Sequence, residues 1–119
     1  MQEIIAKLRT FVNERDWAKF HSPKNLAMAL SVETAELVEH FQWLTQDQSY
    51  ILGPDKLERV RDEIGDVFIY LTMLADKLGI SPLQAALDKI QKNEKNYPAS
   101  LVRGQAKKYK EYPEGVDNL

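Results

Sequence analysis

Two short acidic motifs carry most of the chemistry that this sequence can do. Residues 33–36 read ETAE and residues 63–66 read EIGD. A helix turns about 100° per residue, so carboxylates three positions apart share one flank. In both segments that flank borders an apolar stripe. Glu33 falls at the margin of Leu26, Leu30, Leu37, Phe41 and Leu44, with Glu36, His40 and Trp43 just beyond it. Glu63 falls at the edge of Leu57, Ile64, Val67, Phe68, Leu71 and Ala75, followed by Asp66 and Tyr70. If the two helices pack antiparallel, the acidic pairs converge. Ionised groups left unpaired in a partly dry cleft are costly, and a divalent cation relieves the cost. Oxygen donors without thiolates or paired histidines suit Mg²⁺ or Mn²⁺.

The plainer reading is a solvated helix face, where such glutamates serve solubility and local pairing. Two pairs, each flush with a core stripe, weigh against it. A di-iron carboxylate centre normally uses Glu-x-x-His motifs. Neither His21 nor His40 has a glutamate three residues before it, so that rival ranks low.

The elements that must position these residues read as helices. Apolar residues from Ile4 to Phe20 recur at helical period,. Ser22-Pro23 and Ser81-Pro82 each supply an N-cap followed by proline at the first helical position,. A periodic run extends from Leu26 to Leu44, and a further helix begins at Pro54 and stops at Gly79,. A fourth helix runs to about Asn96 and ends before Tyr97-Pro98,. No strand pattern competes, and helices with short links make a bundle. Residues 1–98 are expected to form one all-α domain, and residues 99–119, with Arg103, Lys107, Lys108 and Lys110, a partly ordered tail,.

At 119 residues, one domain with a moderate, rather thin core is expected,. Abundant apolar helix faces then favour an oligomer. Net charge is −2 and the basic residues cluster in the tail, which argues against a nucleic-acid or membrane partner,. The absence of cysteine excludes disulfides, thiol nucleophiles and thiolate metal sites,. The N-terminal stretch MQEIIAKLRTFVNERDW is amphipathic, without an apolar run of signal-peptide type,. No stretch approaches the roughly 20 apolar residues that cross a bilayer. A cytoplasmic protein is expected.

Beyond the two acidic motifs, the segments ERDWAKFHSPKNLAMAL, VETAELVEHFQW, DEIGDVFIYL and KIQKNEKNYP resemble the all-α nucleoside triphosphate pyrophosphohydrolases of the MazG-like superfamily, in particular their dCTP pyrophosphatase branch. The likeness runs from residue 14 to about residue 110. It implies a four-helix bundle-like MazG fold whose core is completed by oligomerisation, as a dimer or tetramer with pockets shared across an interface. It implies Mg²⁺-dependent hydrolysis of a (deoxy)nucleoside triphosphate, dCTP or a modified dCTP, to monophosphate and pyrophosphate. Glu33, Glu36, Glu63 and Asp66 would then be metal ligands. Trp17 and Trp43 would enclose the base, His21 would line the pocket, and Tyr70 would pack on the sugar. Lys89 and Asn93 on the fourth helix would reach phosphate or base.

A carboxylate not fully used as a ligand, Glu36 or Glu63, can take the proton of the attacking water. No serine–histidine or cysteine–histidine arrangement suggests a covalent intermediate. Two alternatives stay open: the same chemistry on dUTP or on many triphosphates, and a helical adaptor whose acidic pairs are surface charge and whose tryptophans meet a partner.

Overall fold

The computed structural model describes residues 1–104. The tail lysines Lys107, Lys108 and Lys110 lie outside the described residues. The described residues contain helices and no strand. They divide into two compact units, one over Met1–Ile80 and a second beginning at Ser81.

The first unit holds α1 (Gln2–Glu14), a 3₁₀ turn (Ala18–Phe20), α2 (Pro23–Glu39), the one-turn α3 (Gln46–Ser49) and α4 (Pro54–Lys77). The helix starts follow the local signals. Ser22 Oγ accepts the Asn25 N–H at 3.1 Å ahead of Pro23. Thr45 and Gln48 form a reciprocal capping box that starts α3,. The second unit holds α5 (Pro82–Asn96) and the short α6 (Ala99–Val102). Ser81 Oγ caps α5 by accepting the Gln84 N–H at 3.2 Å.

The first helix stops sooner than its apolar period suggests. Asp16 takes the left-handed conformation at φ 53°, which aspartate tolerates better than most residues. The Asp16 N–H donates to the Asn13 carbonyl at 3.2 Å and the Trp17 N–H to the Val12 carbonyl at 3.0 Å. This is a Schellman motif, and it folds Trp17 back onto Phe11 with ring centroids 5.7 Å apart in an edge-on contact,. The same motif ends α4. Gly79 sits at φ 68°, and the Ile80 N–H reaches the Ala75 carbonyl at 2.8 Å.

Within the first unit, α2 and α4 make the dominant pairing and α1 meets α4 more sparingly. Leu26 is almost fully buried, and Val12, Val60 and Ala75 complete the buried apolar core among the described residues. The stripe expected on α2 holds for Leu26, Leu30 and Leu37. Phe41 and Leu44 lie past the end of that helix. The stripe expected on α4 holds in part: Ala75 is buried and Val67 half-buried, but α4 also buries Val60 and Thr72, while Leu57, Ile64, Phe68 and Leu71 face outward, Ile64 at 54% exposure. No helix among the described residues is long and apolar enough to cross a membrane.

Candidate metal centre and adjoining cavity

The pairing of α2 with α4 decides where the carboxylates meet. Glu33 and Glu36 stand one turn apart on α2, and Glu63 projects from α4 between its buried positions Val60 and Thr72. One carboxylate oxygen from each of Glu33, Glu36 and Glu63 lies within 4.8 Å of the other two. Side-chain oxygens of Glu33 and Glu63, the Oε2 atom in each, are buried without a hydrogen-bond partner. Buried polar atoms are ordinarily satisfied, so these unpartnered oxygens mark a cluster that could hold a cation.

The electrostatics follow from that crowding. Burial first, then hydrogen bonding with Glu36 and the charges of Glu36, Asp66 and Glu63, push the Glu33 carboxyl up to about 7. Burial and the Glu36 and Asp66 carboxylates likewise raise Glu63, partly offset by His40. His40 Nε2 lies 3.8 Å from Glu63 Oε1. Like charges held this close cannot all ionise cheaply. The donor set is oxygen-rich and hard, and it fits a divalent cation of the Mg²⁺ or Mn²⁺ type.

Asp66 does not belong to that tight trio. One turn beyond Glu63, it adds its charge to Glu33 and Glu63 and also lines a neighbouring cavity of about 250 Å³. One wall of the cavity comes from α1, through Leu8, Phe11 and Val12. Trp17 and His21 come from the segment that follows α1, and Asp66, Ile69, Tyr70 and Met73 come from α4. The Schellman turn at Asp16 is what brings Trp17 to this wall. The Asn25 amide donates to the Phe20 carbonyl at 3.0 Å and fixes the turn on which His21 sits. The cavity is therefore mostly apolar and aromatic, with polar groups at His21, Asp66 and Tyr70, the make-up of a small-molecule site.

Of the residues singled out in the sequence, Glu33, Glu36 and Glu63 meet, and Trp17, His21, Asp66 and Tyr70 share the cavity. Trp43 does not line it. It lies in the segment between α2 and α3 and is 87% exposed. Lys89 and Asn93 are exposed residues of α5 in the second unit. Sequence reasoning left out His40 as a site residue. Its signal was present, one turn beyond Glu36 on the same flank, but its closeness to Glu63 depends on how the two helices pair.

Comparison with known proteins bears on this geometry. Residues 28–112 match the model of the MazG-like family. The chain belongs to the MazG-like family. It is 42% identical to human dCTP pyrophosphatase 1 over 108 residues, which cover 89% of this chain. The mouse protein of the same name is 40% identical over a stretch of the same length. The chain spans about 64% of the length of these curated relatives. A pyrophosphatase from Archaeoglobus fulgidus DSM 4304, solved by crystallography, superposes with a TM-score of 0.75 at 44% identity, covering 82% of this chain and 92% of that one. The matched region of this MazG-like chain contains both acidic motifs and Tyr70, whereas Trp17 and His21 precede the family match.

Proposed function

We propose that this MazG-like protein is a nucleoside triphosphate pyrophosphohydrolase that cleaves dCTP or a modified dCTP to the monophosphate and pyrophosphate with Mg²⁺, in the cytoplasm. The observation that carries the reading is the junction at Asp66. Asp66 lines the aromatic cavity and acts by its charge on Glu33 and Glu63, whose Oε2 atoms are buried without a partner. A nucleotide has the matching polarity, with a polyanionic end that needs cations and a flat base that stacks. The likeness to dCTP pyrophosphatase 1 and to the archaeal pyrophosphatase supports the same chemistry.

In this reading Glu33, Glu36, Glu63 and Asp66 hold the metal. Bound Mg²⁺ would neutralise the triphosphate and polarise the attacking water and the leaving group. The residues supply the remainder. Trp17 offers a ring face to the base, and stacking on an aromatic side chain is worth roughly 1–3 kcal/mol. Tyr70 packs against the sugar and His21 closes the cavity. Either Glu36 or Glu63 accepts the proton of the attacking water. Lys89 and Asn93 are assigned to phosphate and base, and Trp43 to enclosing the base from a neighbouring copy.

That copy is part of the proposal. Leu57, Ile64, Phe68 and Leu71 on α4 are exposed, and so are Leu83, Leu87 and Ile90 on α5. Apolar patches of this kind mark an interaction surface, and a homo-oligomer, dimer or tetramer, would cover them. The deciding experiment is a panel of triphosphates, dCTP, modified dCTP, dUTP and the other common nucleotides, with and without Mg²⁺. Monophosphate plus pyrophosphate is the expected product pair. Diphosphate plus phosphate overturns the reaction class, and no Mg²⁺-dependent turnover returns the chain to a helical adaptor.

A further inference from the structure

The wall of the aromatic cavity contributed by α1 needs something to hold it in place. α1 buries Val12 alone among its residues and touches α4 far more sparingly than α2 does. Between α1 and the last turns of α4 lies a second, smaller cavity of about 70 Å³, bordered by Ile5, Leu8, Arg9, Thr72, Met73 and Asp76 among others. The Thr72 hydroxyl, on a residue only 1% exposed, has no hydrogen-bond partner beside it. Side-chain packing is therefore incomplete at this level.

Across that gap runs one bidentate pair. Arg9 Nε donates to Asp76 Oδ2 at 2.9 Å, and Arg9 Nη2 donates to Asp76 Oδ1. The partners stand 67 positions apart in the sequence. Two parallel N–H···O bonds fix direction as well as distance, which a single point charge does not. Leu8 and Met73, the chain neighbours of this pair and of Thr72, line both cavities.

We propose that Arg9 and Asp76 are positioning residues. Their fork sets the spacing of α1 from α4, and so the width of the cavity that Trp17 and Tyr70 both line. The functional half of this inference rests on reading that cavity as the base pocket. Neither residue lines it, so the pair acts on the ligand only through the placement of α1 and of the turn that follows it.

The test has two readouts on the full chain. In the nucleotide-free protein, Arg9→Ala should speed amide hydrogen exchange across residues 2–21 and leave α2 and α4 unchanged. In turnover of the best triphosphate, the same variant should raise KM about two- to fivefold with kcat unchanged, the range a partly exposed pair supports. Arg9→Lys, which keeps the charge and loses the fork, should fall between wild type and Arg9→Ala. The exchanged pair Arg9→Asp with Asp76→Arg should recover both readouts. Glu3→Ala, which breaks only the exposed Glu3–Lys7 contact within α1, should change neither.

Unchanged exchange and unchanged KM in Arg9→Ala overturn the proposal. So does faster exchange throughout α2 and α4, which would make the pair a general support of the fold. If the wild-type protein turns over no triphosphate, the functional reading fails. The exchange data then decide the placement of α1 alone: faster exchange confined to residues 2–21 supports the clasp, and unchanged exchange removes it.

Discussion

Glu33 and Glu63 carry the strain of the site at the scale of single residues. Burial first, and then the neighbouring carboxylates, shift both carboxyls upward, and an Oε2 atom of each is buried without a hydrogen-bond partner. Two predictions belong here. Glu63→Gln or Asp66→Asn should abolish pyrophosphate release while far-ultraviolet circular dichroism stays near wild type; activity in both variants would remove them as metal ligands. The second concerns pH. The Glu33 carboxyl is raised from 4.5 to about 7, so its proton is held more tightly in the folded chain than in the unfolded one. The Glu33 contribution to the stability of the metal-free protein should then be fullest below pH 4.5 and be lost as pH rises through about 7,. Thermal unfolding across that window with a chelator should show the decline, Mg²⁺ should reduce it, and Glu33→Gln should flatten it.

The acidic trio was legible in the sequence because ETAE and EIGD each place their carboxylates by local helix geometry. The contact of His40 with Glu63 was not, since it depends on the register of α2 against α4. Arg9 and Asp76 carried no local signal at all. Each looks like an ordinary exposed helix residue until the fold brings them together.

At the scale of elements, the starts of the long helices were readable and two helix stops were not, α2 ending at Glu39 before Phe41 and Leu44. Ser22-Pro23, Gly53-Pro54 and Ser81-Pro82 act within a few residues, and each begins a helix where expected. Trp17 and Phe20 keep the apolar period of α1, but the left-handed turn at Asp16 takes them out of the helix. Periodicity reports which face is apolar and says nothing about a single residue that reverses the chain. The two glycines of the α4 region make a paired prediction. A Cβ at Gly65 or at Gly79 would meet nothing within 4 Å, so backbone conformation alone sets the outcome. Gly79→Ala, forced into φ 68°, should cost about 1–2 kcal/mol. Gly65→Ala, inside α4, should gain about 0.5–1 kcal/mol in the isolated chain. Urea unfolding of the two variants should therefore give shifts of opposite sign.

For the whole molecule, the all-α MazG-like fold was legible in the sequence, while part of the stripe expected on α4 lies outside the core. Leu57, Ile64, Phe68 and Leu71 repeat as a core stripe should, yet they face outward in the single chain. A stripe records an apolar face without recording what, if anything, packs on it. Phe68→Glu should leave a monomer in sedimentation equilibrium where the parent protein sediments as a dimer or tetramer; an unchanged assembly would place the interface elsewhere.

Four apolar side chains are buried among the described residues, and that sparse interior has a practical outcome at the bench. If other copies cover its exposed apolar faces, as proposed, the chain keeps its shape only while copies are plentiful. Specific activity should sag as stock solutions are thinned and recover on reconcentration, so rates compared between laboratories will agree only when enzyme loading is matched.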